Sequence, residues 1–248
     1  AEEQWTVIRE GEALGSYFGY KSDGLFQNKE EIASSALHVG AIVEPGDRKF
    51  VDQNKDGVID ENDRVILGNA FPRYTFGFTY DVAWKNFDLN IFIQGVGKRE
   101  QMMRGEIVEP FHHDYWVATM YTHQLDFWTP DNPGAKYPRL ATTGPSRENN
   151  WTRVGNDAWL HDMAYLRVKN IMLGYTLPSQ ITSKIGIEKA RINVNVQNPF
   201  TLSKQSWVDP ESTNMGNTMG GRGGAGAFML RNNYAFVKYY GMTLDLEF

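Results

Sequence analysis

A run of oxygen-bearing side chains early in the sequence has the spacing of a cation-binding loop. It begins at Asp52, ends at Asp63, and offers ligands at loop positions 1, 3, 5, 7, 9 and 12: Asp52, Asn54, Asp56, the carbonyl of Val58, Asp60 and Asp63. About seven oxygens in this arrangement wrap one Ca²⁺ ion, and a glycine at position 6, here Gly57, allows the sharp turn. The sequence therefore predicts a Ca²⁺ site, with Mg²⁺ as the alternative ion.

The last position of this aspartate loop departs from the usual helix–loop–helix calcium motif. EF-hands carry a bidentate Glu at position 12, whereas this loop has the shorter Asp63, as in the loops of dockerin modules. The shorter side chain predicts weaker binding or room for a water molecule. A solvated acidic turn without an ion is the alternative. Because the flanking residues have the pattern of loop and strand, a bound ion would staple a loop rather than act as a sensor.

A second set of candidate residues is aromatic and lies between Glu109 and Trp128. Aromatic rings stack on sugar faces and on apolar peptide side chains, so this segment supplies four candidate substrate-binding residues: Tyr115, Trp116, Tyr121 and Trp128. The alternative is that the rings pack loops onto one another and onto a partner protein. His112 and His113 do not indicate a zinc site, because adjacent residues of a strand point to opposite faces.

The composition excludes several other kinds of chemistry. The chain of 248 residues has no cysteine, which removes disulfide scaffolds, thiolate zinc sites and cysteine nucleophiles. A net charge of -5 argues against a nucleic-acid binder, which usually has a basic patch. No spacing of Asp and Glu singles out a glycosidase acid/base pair. The composition and spacing therefore single out no catalytic residues.

The elements that must position these candidates are β-strands, because apolar residues recur with a period of two. The pattern predicts six strands, at residues 5–20, 73–84, 87–97, 162–177, 189–202 and 234–248. The second and third strands form a hairpin that turns at Lys85 and Asn86. A change of phase near Lys169 and Asn170 predicts a β-bulge.

Two architectures fit strands with one apolar and one polar face: a soluble β-sandwich and the wall of a membrane barrel. The mean hydropathy of -0.48 does not decide between them, because a barrel strand needs only about 10 alternating residues. The connections do. They are long at 21–72, 98–161 and 203–233, and shorter at 85–86 and 178–188. Alternating long outer loops and short inner turns are typical of outer-membrane barrels.

Several stretches resemble one known family, in the same order along the chain. They are Trp128–Leu140 (WTPDNPGAKYPRL), Trp159–Pro178 (WLHDMAYLRVKNIMLGYTLP), Asn195–Asn198 followed by Phe200 and Thr201, Asp209–Glu211, the aspartate loop and Lys85–Asp88. These motifs are similar to those of SusC/RagA-type, TonB-linked outer-membrane transporters. The resemblance covers nearly the whole chain.

The resemblance implies an all-β fold in which this chain is the C-terminal portion of a large transmembrane antiparallel barrel. The family barrel has roughly 22 strands, long extracellular loops and a plug in its lumen. Residues 1–248 would then be one barrel segment, with the aspartate loop as part of an outer loop. The plug and the earlier strands lie outside this sequence, and the start at Ala1, without Met, also suggests a fragment.

The family's function implies active import of nutrient oligomers across the outer membrane, without catalysis. A SusD-like surface lipoprotein, TonB acting on the missing N-terminal part, the rest of the same barrel and the lipid bilayer would be the partners. The substrate would be an oligosaccharide or an oligopeptide. The alternative from another class is a secreted, calcium-stabilised β-sandwich module that binds carbohydrate or peptide.

Overall fold

The structure, a computed structural model, describes residues 6–103, 110, 120–141, 155–205, 208–211 and 237–248. The chain divides into two compact units. The loop unit comprises Ala1–Phe71, Glu100–His161 and Thr213–Asn233. The sheet unit comprises Pro72–Arg99, Asp162–Ser212 and Tyr234–Phe248. The candidate substrate-binding residues Tyr115 and Trp116 lie outside the described residues.

Strands dominate both units. In chain order they are β1 (Thr6–Val7), β2 (Ser16–Gly19), β3 (Ser22–Leu25), β4 (Leu37–His38), β5 (Arg48–Phe50), β6 (Val58–Ile59), β7 (Val65–Asn69), β8 (Tyr74–Trp84), β9 (Phe87–Gly97), β10 (Glu100–Met102), β11 (Leu160–Asp162), β12 (Tyr165–Thr176), β13 (Lys189–Ser203) and β14 (Tyr239–Glu247). The helices are short: α1 (Lys29–Ser34), α2 (Ser179–Thr182) and single 3-10 turns at Glu61–Asp63, Thr122–Leu125, Asp157–Trp159 and Ser183–Ile185. Within the described ranges, the helices are too short or too polar to span a bilayer.

The sheet unit is one five-stranded antiparallel sheet in the order β14-β13-β12-β9-β8. Every neighbouring pair is antiparallel, so the chain runs up and down as the connection lengths predict. Five of the six predicted strands are confirmed, because each carries an alternating pattern long enough to fix its face. The all-β fold expected from the sequence is likewise confirmed.

Two local predictions about this sheet also hold. The β8–β9 hairpin turns at Lys85, whose φ of 55° is left-handed, and Asn86. The register of β12 shifts between Val168 and Asn170 against both of its neighbours, which is the expected bulge. On the β13 side, Asn198 faces this irregularity with a φ of 52°. The bulge restores the polar and apolar faces after the change of phase in the sequence.

The predicted strand over residues 5–20 is wrong. Two short strands, β1 and β2, occupy this stretch, and they pair with each other and with β7 in a separate three-stranded sheet of the loop unit. Between them Gly11 and Gly15 have φ values of 87° and 78°, which interrupt an extended chain. Both short strands are buried along their length, so the alternation inferred from Leu14, Phe18 and Tyr20 does not describe one sheet face.

The loop unit is held by an aromatic core and by small paired strands. β3 pairs with β5, β4 pairs in parallel with β6, and β10 pairs with β11. Tyr17, Phe26, Met103 and Trp159 are almost fully buried. Helix α1 begins at the cap Asn28, whose side chain accepts the amide of Glu31 at 2.8 Å. The strands are too short for periodicity to reveal them, and their long-range pairing sets the shape of the aspartate loop.

Candidate functional sites

One face of the five-stranded sheet is apolar and exposed. The register places Val82, Leu89, Leu173, Val194 and Met242 in one row across all five strands. Exposed fractions in this row reach 45% at Leu173 and Val194 and 76% at Met242. A sandwich would bury such a face against a second sheet. Its exposure fits a surface that faces lipid.

The opposite face carries polar side chains that bond to one another across the strands. Asn90 donates to Asp81 at 2.7 Å on the neighbouring strand, and Asn193 donates to Asp245 at 2.7 Å. Asp88 forms an ion pair with Arg191 two strands away. These cross-strand contacts, which we call rungs, connect the strands on the polar face. The face stays hydrophilic, as the wall of a water-filled lumen would be.

Gly174 makes the longest of these rungs possible. It lies between Asp88 and Asn193 in the register, and the Arg191 side chain passes over it to reach Asp88. A Cβ at position 174 would lie 2.5 Å from a carboxylate oxygen of Asp88 and 2.6 Å from the Arg191 guanidinium. The absence of a Cβ at Gly174 therefore leaves the space through which this ion pair crosses the strand.

The aspartate loop closes on its own backbone amides. Asp63 is fully buried and accepts the amides of Gln53 at 2.7 Å and Asp60 at 2.8 Å. Asp52 accepts the amides of Lys55 at 2.6 Å and Gly57 at 2.8 Å. Each carboxylate oxygen has about two lone-pair sites, so one amide bond leaves room for a second partner.

The turn geometry of the loop agrees with the prediction, but its carboxylates do not converge. Gly57 has a φ of 84° at the position where the sharp turn was expected. Asn54 and Asp56 instead bond to each other and to nearby amides. Among the residues that the structure describes, no group of three Asp, Glu or His side chains is placed to hold a metal ion. Cation binding by the six predicted ligands thus stays a prediction.

The two described aromatic candidates differ in their surroundings. Tyr121 is 45% exposed and stacks on His123 at 5.7 Å between ring centroids. Trp128 is buried, and its indole N–H donates to the side chain of Gln27 at 3.0 Å. These contacts give Trp128 a role in packing the loop unit. Whether either residue touches substrate stays a prediction, as it does for Tyr115 and Trp116.

An ion-pair group that the sequence did not single out joins two loops of this unit. Asp47 is fully buried and bonds to Arg139 at 2.7 Å, while the same guanidinium pairs with Glu44 at 2.9 Å. The Arg139 amide also donates to the carbonyl of Gly46 at 2.9 Å. The partners are 92 residues apart, and no local spacing signals such a pair. They fix the WTPDNPGAKYPRL stretch in place.

Burial lowers the pKa of two basic groups of the loop unit, His161 and Arg48. Burial, together with the charge of Lys136, lowers the pKa of His161 to about 4, so the imidazole is neutral at pH 7. Burial also lowers the pKa of Arg48 to about 10, although the charge of Asp157 opposes the shift. The Arg48 guanidinium lies 5.1 Å from the ring centroid of Trp159, a cation–π contact that helps keep the charge inside the unit.

Comparison with known sequences relates the chain to TonB-dependent receptors. No protein-family model matches it. It is 30% identical over 249 aligned residues to "TonB-dependent receptor P3" of Formosa agariphila, covering 100% of this chain and 23% of the relative. It is 25% identical to "TonB-dependent receptor SusC" of Bacteroides thetaiotaomicron, covering 67% of this chain and 16% of that protein. The chain thus spans less than a quarter of either relative.

Comparison with solved structures agrees on the fold. The structure of the RagAB peptide transporter matches with a TM-score of 0.61 at 18% identity, covering 93% of this chain and 22% of that chain. The likeness identifies the five-stranded sheet as a portion of a large antiparallel barrel.

Proposed function

Because this chain is homologous to TonB-dependent receptors of the SusC/RagA type, we propose that it forms part of a barrel for active import of nutrient oligomers across the outer membrane. The observation that carries the proposal is the pair of opposite sheet faces. One face is apolar and exposed in a continuous row from Val82 to Met242, and the other bears bonded polar side chains. Lipid would contact the first face and the aqueous lumen the second.

In this proposal the chain is the C-terminal segment of the barrel, and the rest of the same protein supplies the remaining wall and the plug. TonB would supply the energy through the N-terminal part. A SusD-like surface lipoprotein would cover the outer mouth. The substrate class is an oligosaccharide or an oligopeptide: the RagAB peptide transporter is among the structural matches, and the candidate aromatics suit either class.

The experiment deletes the gene in the source organism and measures uptake of two fluorescent pools, mixed oligosaccharides and mixed oligopeptides. We expect uptake of one pool to fall in the deletion strain and in a strain without TonB activity, and to return when the full-length protein is restored. The full-length protein should be extracted from the outer membrane only by detergent. A water-soluble protein, or uptake of both pools unchanged by deletion, would overturn the proposal.

For the aspartate loop we propose that it binds Ca²⁺, or Mg²⁺, and staples an outer loop. The oxygen-only donor set and the left-handed Gly57 at the turn support this assignment. The ligands would be Asp52, Asn54, Asp56, the carbonyl of Val58, Asp60 and Asp63. The carboxylates would have to turn toward a common centre while keeping their amide bonds.

Thermal unfolding of the full-length protein with CaCl₂ and with a chelator tests this site. At a Ca²⁺ concentration of 100 Kd, binding should add about 2.7 kcal/mol to the stability of the form that binds. Asp52→Asn should reduce the difference between the two conditions, whereas Asp131→Asn, which changes an exposed Asp of the same unit, should not. The same unfolding curve with and without chelator would remove the metal from the proposal.

A further inference from the structure

A three-residue segment from the β13–β14 connection lies over the polar face of the sheet. This segment, Asp209–Glu211, is held by Arg167 of β12. One guanidinium nitrogen contacts both carboxylate oxygens of Asp209, at 2.9 and 3.0 Å. Another donates to Glu211 at 2.6 Å, and Nε donates to the Thr201 hydroxyl at 2.8 Å. The planar fork of the guanidinium is thus fully oriented by its partners.

The charges of this cluster are out of water. The side chains of Arg167, Asp209 and Glu211 are only 3%, 7% and 10% exposed. Buried charges persist where geometry and extra hydrogen bonds compensate their lost hydration. Removing one partner leaves an uncompensated buried charge, which is strongly unfavourable. The segment is therefore fixed much more firmly than a surface loop held by exposed ion pairs.

Three further groups complete the attachment. The hydroxyl of Tyr165 donates to Glu211 at 2.7 Å, and Lys169 pairs with the same carboxylate at 2.7 Å. Arg99, two residues after the end of β9, donates to the carbonyl of Pro210 at 3.0 Å. Lys169 is the residue at the β12 bulge, which adds a second cation beside Arg167 on this side of the strand.

We propose that Asp209–Glu211 is a latch, a segment of the β13–β14 connection that is a fixed part of the polar wall. Arg167 is its positioning residue, and Lys169 supports it. The latch begins six residues after β13 ends at Ser203, so it divides the 204–238 connection into a short first span and a longer second span. The inference rests on the proposed function in one respect: if the polar face lines a lumen, the latch narrows that lumen permanently.

Hydrogen exchange on the full-length protein in detergent tests the latch. The reporters are the amide of Glu211, which donates to the Asp209 carboxylate at 2.9 Å, and the neighbouring amides of Val208 and Asp209. Arg167→Met keeps the length of the stem but removes the guanidinium. We expect exchange at these amides to rise by roughly 100-fold, while β8 and β14 stay protected. Arg191→Met is the matched control. It removes a guanidinium from the same face of the sheet, but the ion pair of Arg191 with Asp88 is about one-third exposed. It should leave the reporter amides unchanged.

A second variant keeps the test decisive if Arg167→Met destabilises β12. Asp209→Asn weakens the same contact from the latch side without altering a strand, and the reporter amides should again exchange faster. Unchanged exchange in Asp209→Asn, or an equal rise in Arg191→Met, would overturn the latch. The measurement needs no transport, so the latch and the import proposal can fail independently.

Discussion

The assignment of one sheet face to lipid makes a quantitative prediction about arginine substitutions along β12. Ile171 lies on the apolar face between Ile91 and Val196, and Met172 lies on the polar face between Asn90 and Asn195. These adjacent residues share one strand and differ only in the face they occupy. Arginine at each of them therefore compares lipid with lumen at nearly the same depth.

The magnitude follows from the position of each residue in the strand. With a rise of about 3.3 Å per residue and a tilt of about 40°, each step along the strand moves roughly 2.5 Å across the bilayer. Ile171 is five residues from the strand end at Thr176, which places it about 13 Å inside, near the middle of a band about 25 Å tall. Arginine facing lipid at the midplane costs about 2–4 kcal/mol, and less toward the interfaces.

We expect Ile171→Arg to lower the free energy of unfolding by about 3 kcal/mol, and Leu173→Arg, nearer the end, by about half as much. Met172→Arg should cost less than about 1 kcal/mol, because its side chain enters water. Urea unfolding of the full-length protein in lipid vesicles, followed by tryptophan fluorescence, measures all three. Equal costs for Ile171→Arg and Met172→Arg would refute the lipid assignment. Equal costs for Ile171→Arg and Leu173→Arg would indicate burial in protein rather than depth in a bilayer.

Two further predictions concern the loop unit. Asp63→Ala leaves the partly buried amides of Gln53 and Asp60 without their carboxylate acceptor. We expect both amides to exchange hydrogen faster in chelator, by a factor that corresponds to roughly 1.5–3 kcal/mol. Unchanged exchange would contradict this role of Asp63. Because the pKa of His161 is lowered in the folded state, this imidazole is protonated at a higher pH in the unfolded chain than in the folded chain. The contribution of neutral His161 to the free energy of unfolding should therefore be fully present above about pH 6.5 and be lost toward pH 4, by at most about 3 kcal/mol. In denaturant titrations at a series of pH values, His161→Gln should reduce this dependence of stability on pH. An unaltered dependence would contradict the prediction.

The five long strands were predictable because the alternation of apolar and polar residues along a strand shows which of its residues share each face of the sheet. In β8 each second residue from Tyr74 to Trp84 is apolar or aromatic, and register then follows from matching faces. The bulge was also predictable, since the alternation in the sequence is interrupted at Lys169 and Asn170. Local pattern suffices where the structure is periodic over about ten residues.

Side-chain partners far apart in sequence could not be predicted in this way. Arg167 and Asp209 are 42 residues apart, and Arg139 and Asp47 are 92 apart. A single arginine on a polar face gives no sign of its partner, because any of the acidic residues satisfies the same charge. The motif Asp209–Glu211 and the arginine in YLRVKN were both visible in the sequence. Only the fold of the connection brings them together.

The segment 5–20 shows why periodicity fails in short elements. A strand of two to four residues contains at most two positions per face, so an apparent phase in Leu14, Phe18 and Tyr20 arises without one continuous strand. The two glycines, Gly11 and Gly15, were the stronger signal in the sequence, since glycine easily takes the positive φ values that the structure has there. Turn residues should therefore outweigh alternation wherever two glycines lie within one proposed strand.

The edges of the sheet supply a last argument about its setting. Within the described residues, β8 and β14 each pair on one side only, and they are 11 and 9 residues long. Long, flat, apolar edges invite pairing with other chains, and soluble proteins blunt them with charges, prolines or bulges. β8 has no proline and one charged residue, Asp81, and its register with β9 is unbroken. Such an edge is stable when further strands continue the sheet, as in a closed barrel, which abolishes edges altogether.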